Sequence, residues 1–219
     1  RSWESVQSNS LDGNLNYSYK YVVQSPSNDT YQYKIIATDK ANRTSETELS
    51  IVVDKKLPII QGIEDYLKND SYISSKNYEI RFSATDLGGS LLEKVEYSID
   101  EEPFVAASKL GSMYVVQLTD LSSENAHQFK VRAIDNAQNL TESDVYRFYV
   151  DTDKPQLDSY LLDGTEIATL ENFNKEKDFI LSGKVSDLVS GINQNTLKLT
   201  ENGAEVNLDI DENSLSWKY

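Results

Sequence analysis

Two stretches decide the reading: YQYKIIATD at Tyr31–Asp39 and HQFKVRAID at His127–Asp135. Gln32 and Gln128, Tyr33 and Phe129, Lys34 and Lys130, Ala37 and Ala133, Asp39 and Asp135 align at an offset of 96 residues. The match runs on through KANRTSE and NAQNLTE to LSIVVD, ending at Asp54, and YRFYVD, ending at Asp151, where the offset is 97. Pro58 and Pro155 share that offset. Upstream, YVVQ stands at Tyr21–Gln24 and again at Tyr114–Gln117. A second match, at an offset of 101, sets YEIRFSATDLGGS (Tyr78–Ser90) on FILSGKVSDLVSG (Phe179–Gly191), with Asp86 on Asp187. Self-similarity at a fixed period is the signature of a repeat architecture. The chain therefore divides into the C-terminal half of one unit at 1–54, a complete unit at 55–151 and the N-terminal part of a further unit at 152–219.

Within each unit the apolar period is two, the period of a strand with one buried face. Tyr78, Ile80, Phe82 and Ala84 alternate with polar residues, as do Phe179, Leu181 and Val185. Val95, Tyr97 and Ile99 predict a strand, Val206, Leu208 and Ile210 another, and Tyr146, Phe148 and Val150 match Leu49, Ile51 and Val53. Asn202-Gly203 is a two-residue hairpin signal, and no segment has the pattern of an amphipathic helix. About seven short strands per unit, with turns every 8–12 residues, predict an immunoglobulin-like sandwich. The expected fold is all-β, a series of tandem immunoglobulin-like antiparallel β-sandwich modules.

Composition excludes several functions. Leu, Ile, Val and Phe make up 57 of 219 residues, about 26%, above the ~20% below which a highly charged chain stays unfolded. There is no cysteine, so no disulfide, thiolate metal site or thiol nucleophile. A single histidine argues against most acid–base and metal catalysis, and the reading is non-enzymatic. The net charge of −15, with no basic segment, argues against nucleic acid and anionic membranes. No apolar run reaches the ~20 residues of a spanning helix, and Arg1-Ser2-Trp3 opens no secretion signal. Such a start suggests a segment of a longer chain.

The run VEYSIDEEPFVAA…HQFKVRAIDNAQNLTESDVYRFYVDTDKP resembles a bacterial Ig-like surface repeat. That family carries Y-S-[IV]-D, then A-x-D-x-A-x-N, then a strand ending V-D before a linker with Pro; VSDLVSGIN (Val185–Asn193) is similar to its S-D-x-x-S-G-[IL] loop. Gln138 stands where Gly is usual. The resemblance implies tandem modules of bacterial adhesins and stalks, and hence an extracellular, cell-surface location.

Asp residues recur at matching unit positions. Asp86 follows one strand and Asp135 another, and in such a sandwich both loops share the pole where Asp54 enters from the linker. Three carboxylates would converge there, and calcium takes six to eight oxygen ligands. The next junction offers Asp151, Asp153 and Asp187, with one more acid in its linker, and ranks first on that count. The competing reading is that Asp135, Asn136 and Asn139 only organise a turn, while Lys55 and Lys56 neutralise the pole through weak salt bridges.

Other signals point to structure. His127 aligns with Tyr31 and Trp3 with Phe104, as packing residues. Glu101-Glu102 and Asp211-Glu212 sit in turns, where the repeat accounts for them without a glycosidase pair. Asn-x-Ser/Thr at Asn16, Asn28, Asn42, Asn69 and Asn139 matters only in a glycosylating host. The function expected is a structural stalk or adhesive repeat, rigidified by calcium at its junctions, with neighbouring modules and a host or matrix protein or glycan as partners. Two alternatives remain: a carbohydrate-binding accessory region of a secreted polysaccharide-degrading enzyme, and a subunit that self-associates head-to-tail through its complementary half units.

Overall fold

The alternation read in the sequence becomes strands almost throughout. The computed structural model describes residues 8–10, 17–19, 22–24, 26–166, 178–211 and 216–218. Trp3 and Asn16 lie outside them. The described helical pieces are two 3-10 turns, Ile63–Asp65 and Gln194–Thr196, and no helix among the described residues is long and apolar enough to cross a membrane.

The chain begins with a short antiparallel pair, β1 (Ser8–Ser10) and β2 (Tyr17–Tyr19). A long hairpin follows, β3 (Asp29–Thr38) with β4 (Thr44–Val53), in unbroken register from Asp29 opposite Val53 to Thr38 opposite Thr44. The sandwich comes next: β5 (Ile59–Gln61), β6 (Ser71–Ile73), β7 (Tyr78–Thr85), β8 (Leu92–Ile99) and β9 (Val105–Ala106). It continues with β10 (Ser108–Leu110), β11 (Met113–Leu118), β12 (His127–Asp135), β13 (Leu140–Glu142) and β14 (Tyr146–Val150). One sheet runs β10-β11-β7-β5; the other runs β6-β14-β12-β8-β9, with β13 also on β12. These are the D-E-B-A and G-F-C orders of an immunoglobulin-like sandwich. The C-terminal strands are β15 (Gln156–Leu162), β16 (Thr165–Glu166), β17 (Leu181–Ser186), β18 (Leu199–Glu201), β19 (Ala204–Val206), β20 (Asp209–Asp211) and β21 (Ser216–Lys218). They form a sheet β16-β15-β17-β21-β20 and a separate pair β18-β19.

Period two puts every second side chain of β7 and β12 between the sheets. Ile80, Phe82, Phe129, Val131 and Phe148 are buried there. Phe82 stacks on Tyr114 and Tyr97 on Phe129, with centroids 5.9 and 6.0 Å apart. His127 belongs to this packing. It is buried, its ring lies 5.3 Å from that of Phe148, and its nitrogens engage Asp100 Oδ2 at 2.7 Å and the Ser122 carbonyl at 2.8 Å. The Asn202-Gly203 signal gives the expected turn, with φ of 51° and 85°, between β18 and β19. The single strand expected through Val206, Leu208 and Ile210 is instead two, β19 and β20, interrupted at Asn207 and Leu208.

The step in repeat offset from 96 to 97 has a structural cause. Ile134 pairs with Leu140, but Phe129 pairs with Tyr146, so β13–β14 carries one residue more than β12. The β3–β4 hairpin lacks that residue and keeps one register throughout. The extra residue is a β-bulge, which bends the strand between Glu142 and Tyr146.

Replacing Phe82 or Phe129 by alanine removes a fully buried ring and is expected to cost about 3–5 kcal/mol. Urea unfolding of each variant against the parent measures it.

Candidate cation site at the sandwich pole

Three elements deliver three carboxylates to one end of the sandwich. Strand β7 ends at Thr85 and places Asp86 in the loop to β8. Strand β12 ends on Asp135, and the linker out of β4 brings in Asp54. One carboxylate oxygen from each lies within 4.8 Å of the other two. Asp54 and Asp135 are buried, the latter fully, and Asp86 is half-buried.

Each acid is also a turn former. Asp86 accepts the Gly88 and Leu91 N–H groups, both at 2.8 Å. Asp135 accepts the Asn139 backbone N–H and the Asn139 Nδ2, both at 2.8 Å. Asp54 accepts the Lys56 N–H at 2.9 Å, the Ser90 N–H at 3.0 Å and the Ser90 hydroxyl at 2.6 Å. The Asn139 Nδ2 also reaches the Asp54 carbonyl at 3.2 Å. Turn organisation is therefore present at all three positions, and it leaves lone pairs on the carboxylates for a further ligand.

The expected neutralisation by Lys55 and Lys56 is replaced by other contacts. Lys55 Nζ donates to the Pro26 carbonyl at 2.6 Å and Lys56 Nζ to the Leu87 carbonyl at 3.3 Å. Among the described residues, no salt bridge reaches Asp54, Asp86 or Asp135. Asn28 ties the same surfaces together, donating to the Gly88 carbonyl at 3.1 Å and accepting the Lys55 N–H at 2.7 Å.

The second junction, ranked first on its extra acid, repeats part of this geometry among the described residues. Asp151 repeats Asp54: it is buried, accepts the N–H two residues on, from Asp153, at 3.0 Å, and accepts the Ser190 N–H at 3.1 Å. Asp187 caps its own loop through the N–H groups of Val189, Ser190 and Gly191. Asp153 is exposed and joins no group of three acids; among the described residues only Asp54, Asp86 and Asp135 form one.

Two residues that the sequence reading left out complete the site. Ser90 holds Asp54, as Ser190 holds Asp151, although the repeat alignment sets Ser90 on Gly191 and Ser190 on Gly89. Gly88 is required by space: a Cβ there would stand 1.8 Å from Asp54 Oδ1 and 2.2 Å from Cγ.

The Ser90 hydroxyl foremost, against partial burial and helped by the Lys56 and Ser90 N–H groups, holds the Asp54 carboxyl below the usual carboxylate range. Ser190 does the same for Asp151. A depressed folded pKa contributes stability that is present above the unfolded value near ~3.9 and lost as pH falls through the lower folded one.

No protein-family model matches the sequence, and no curated protein does. Among solved structures, a mutant of the SrpA adhesin from Streptococcus sanguinis is similar at 16% identity and a TM-score of 0.34, over 45% of this chain and 60% of that one. Fibronectin(III)-like modules of CbhA from Clostridium thermocellum are similar at 18% identity and a TM-score of 0.37, over 64% of this chain and 70% of theirs. At these scores neither fixes a ligand or partner for this chain.

Two outcomes are expected. Gly88→Ala should push Asp54 out of its seat and lower stability by about 1–3 kcal/mol, the usual cost of overpacking, read by urea unfolding. Asp54→Asn should flatten the loss of stability below about pH 4, read from urea midpoints across the acid range.

Proposed function

We propose that this chain is a non-catalytic structural or adhesive segment of a bacterial cell-surface protein, whose linker is locked to its sandwich by calcium. The observation that carries the cation is the group Asp54, Asp86 and Asp135: three carboxylates within 4.8 Å, two of them buried, with no salt bridge to any of them among the described residues. Bringing like charges together under partial burial is costly without a counter-charge. A hard divalent cation with oxygen ligands supplies it. Asp54 is in the linker, Asp86 and Asp135 in the sandwich, so one ion on all three couples the incoming hairpin to the next unit. The extracellular setting follows from the resemblance to bacterial surface repeats and from a millimolar calcium supply outside cells, which suits a weak module site.

Calcium saturating the site a hundredfold stabilises by about 2.7 kcal/mol, which for a sandwich of this size raises Tm by about 11–22 °C. The chain is stripped with EDTA, titrated with calcium and followed by differential scanning calorimetry, beside Asp86→Asn and Asp135→Asn. The reading requires a calcium-dependent rise in the parent that both variants lose. An unchanged parent Tm rejects it.

A further inference from the structure

The one-residue excess of β13–β14 falls on the wall of a groove. The groove has a volume of about 250 Å³ and lies between the 3-10 turn after β5 and the bulged segment that leads into β14. Ile60, Ile63 and Tyr146 give it apolar and aromatic surface, and Glu64, Glu142 and Asp144 give it acids. Both walls are fixed. Ser143 donates its N–H to the Val131 carbonyl at 2.8 Å, and its hydroxyl accepts the Val131 N–H at 3.0 Å, so the bulge is pinned to β12. Across the groove Ile63 is buried, and its carbonyl accepts the Tyr66 and Leu67 N–H groups, both at 2.9 Å. The Thr141 hydroxyl donates to the Pro58 carbonyl at 2.6 Å and ties β13 to the start of β5. A bulge re-aims the side chains beside it, and here one of them is Asp144.

Glu142 is paired with Lys130. Glu64 and Asp144 are exposed, and among the described residues no salt bridge reaches either. Their charges converge on Tyr146: burial foremost, then Glu64 and Asp144, push its phenol above the ordinary tyrosine value. The groove thus joins a half-buried ring to two carboxylates. Its volume is below the ~300–1,000 Å³ of small-molecule pockets and suits a single side chain. A guanidinium meets every demand of such a place. It lies flat on a tyrosine ring, its fork of donors reaches more than one carboxylate, and it gives up water more readily than an ammonium does. The combination is not a property of the repeat, because the β3–β4 hairpin has Leu49 where Tyr146 stands and one residue fewer.

We propose that this groove binds an arginine side chain of a protein partner, its guanidinium lying on Tyr146 between Glu64 and Asp144. Arginine seated in a pocket is one of the residues that dominate protein interfaces, so the groove anchors a wider contact rather than making one alone. Fixed walls leave little to order on binding, which lowers its cost. The groove shares no residue with the acidic pole and does not depend on calcium, so it is tested in EDTA.

The probe is an acetylated, amidated Gly-Arg-Gly peptide, titrated into the millimolar range against the isotope-labelled 219-residue chain and followed by heteronuclear NMR. The same peptide with citrulline keeps the shape without the charge, and one with lysine keeps the charge without the fork. The arginine peptide should give saturable shifts centred on Ile60, Glu64, Ser143, Asp144 and Tyr146, the lysine peptide weaker ones and the citrulline peptide none. Glu64→Gln with Asp144→Asn should weaken arginine binding by about tenfold or more. Both positions are exposed, so the urea midpoint of that variant should stay at the parent's. The absence of a saturable shift at the groove, an equal response to citrulline or lysine, or an unweakened double variant each overturns the proposal. Shifts confined to Asp86–Leu91 and Asp135–Asn139 overturn it too, and place the cation at the acidic pole.

Discussion

The seat of the Asp54 carboxylate over Gly88 is the constraint on which the arrangement of the chain depends. A linker only four residues long, Asp54–Leu57, separates β4 from Pro58, and it would leave the hairpin free to pivot if nothing gripped it. The grip comes from one side chain with four tasks. It caps the linker through the Lys56 N–H, crosses to Ser90 by two hydrogen bonds, fills the space left by the missing Cβ of Gly88, and stands beside Asp86 and Asp135. The Asp151–Ser190 contact repeats the crossing at the next linker. The same chemistry thus sets the entry into two successive sets of strands.

One comparison separates the turn role of these acids from their charge. Asp39 and Asp135 close equivalent turns, each accepting the N–H four residues on, at 2.9 and 2.8 Å. Asn42 and Gln138, one residue before those N–H groups, both take positive φ, 62° and 66°, so Gln138 adopts at a cost the backbone that glycine would take freely. The turns part company at the next side chain. Arg43 pairs with Asp39 through Nε at 2.6 Å, whereas Asn139 gives Asp135 a neutral amide. The Asp39 turn is thereby discharged. The Asp135 turn has no salt-bridge partner among the described residues, at the pole where Asp54 and Asp86 also stand.

The strands were legible because a two-residue period survives wherever one face is buried, as in Tyr78–Ala84 and His127–Asp135. The convergence of Asp54, Asp86 and Asp135 was legible for a topological reason: in this sandwich the end of β7, the end of β12 and the incoming linker share a pole. The role of Ser90 was not, because a serine in a Gly-Gly-Ser loop carries no pattern until the loop closes on Asp54. The offset step at Glu142–Tyr146 was visible in the sequence as a number, but its meaning as a bulge needed the register of both strands.

The exposed hairpin and the acidic pole bear on each other. Asp54 follows directly on β4, so a hairpin with exposed Ile35, Leu49 and Ile51 is also fixed to the sandwich at its base. Fixing that base removes orientational freedom that a loose hairpin would otherwise lose on association, and preorganisation of this kind strengthens binding without adding a contact.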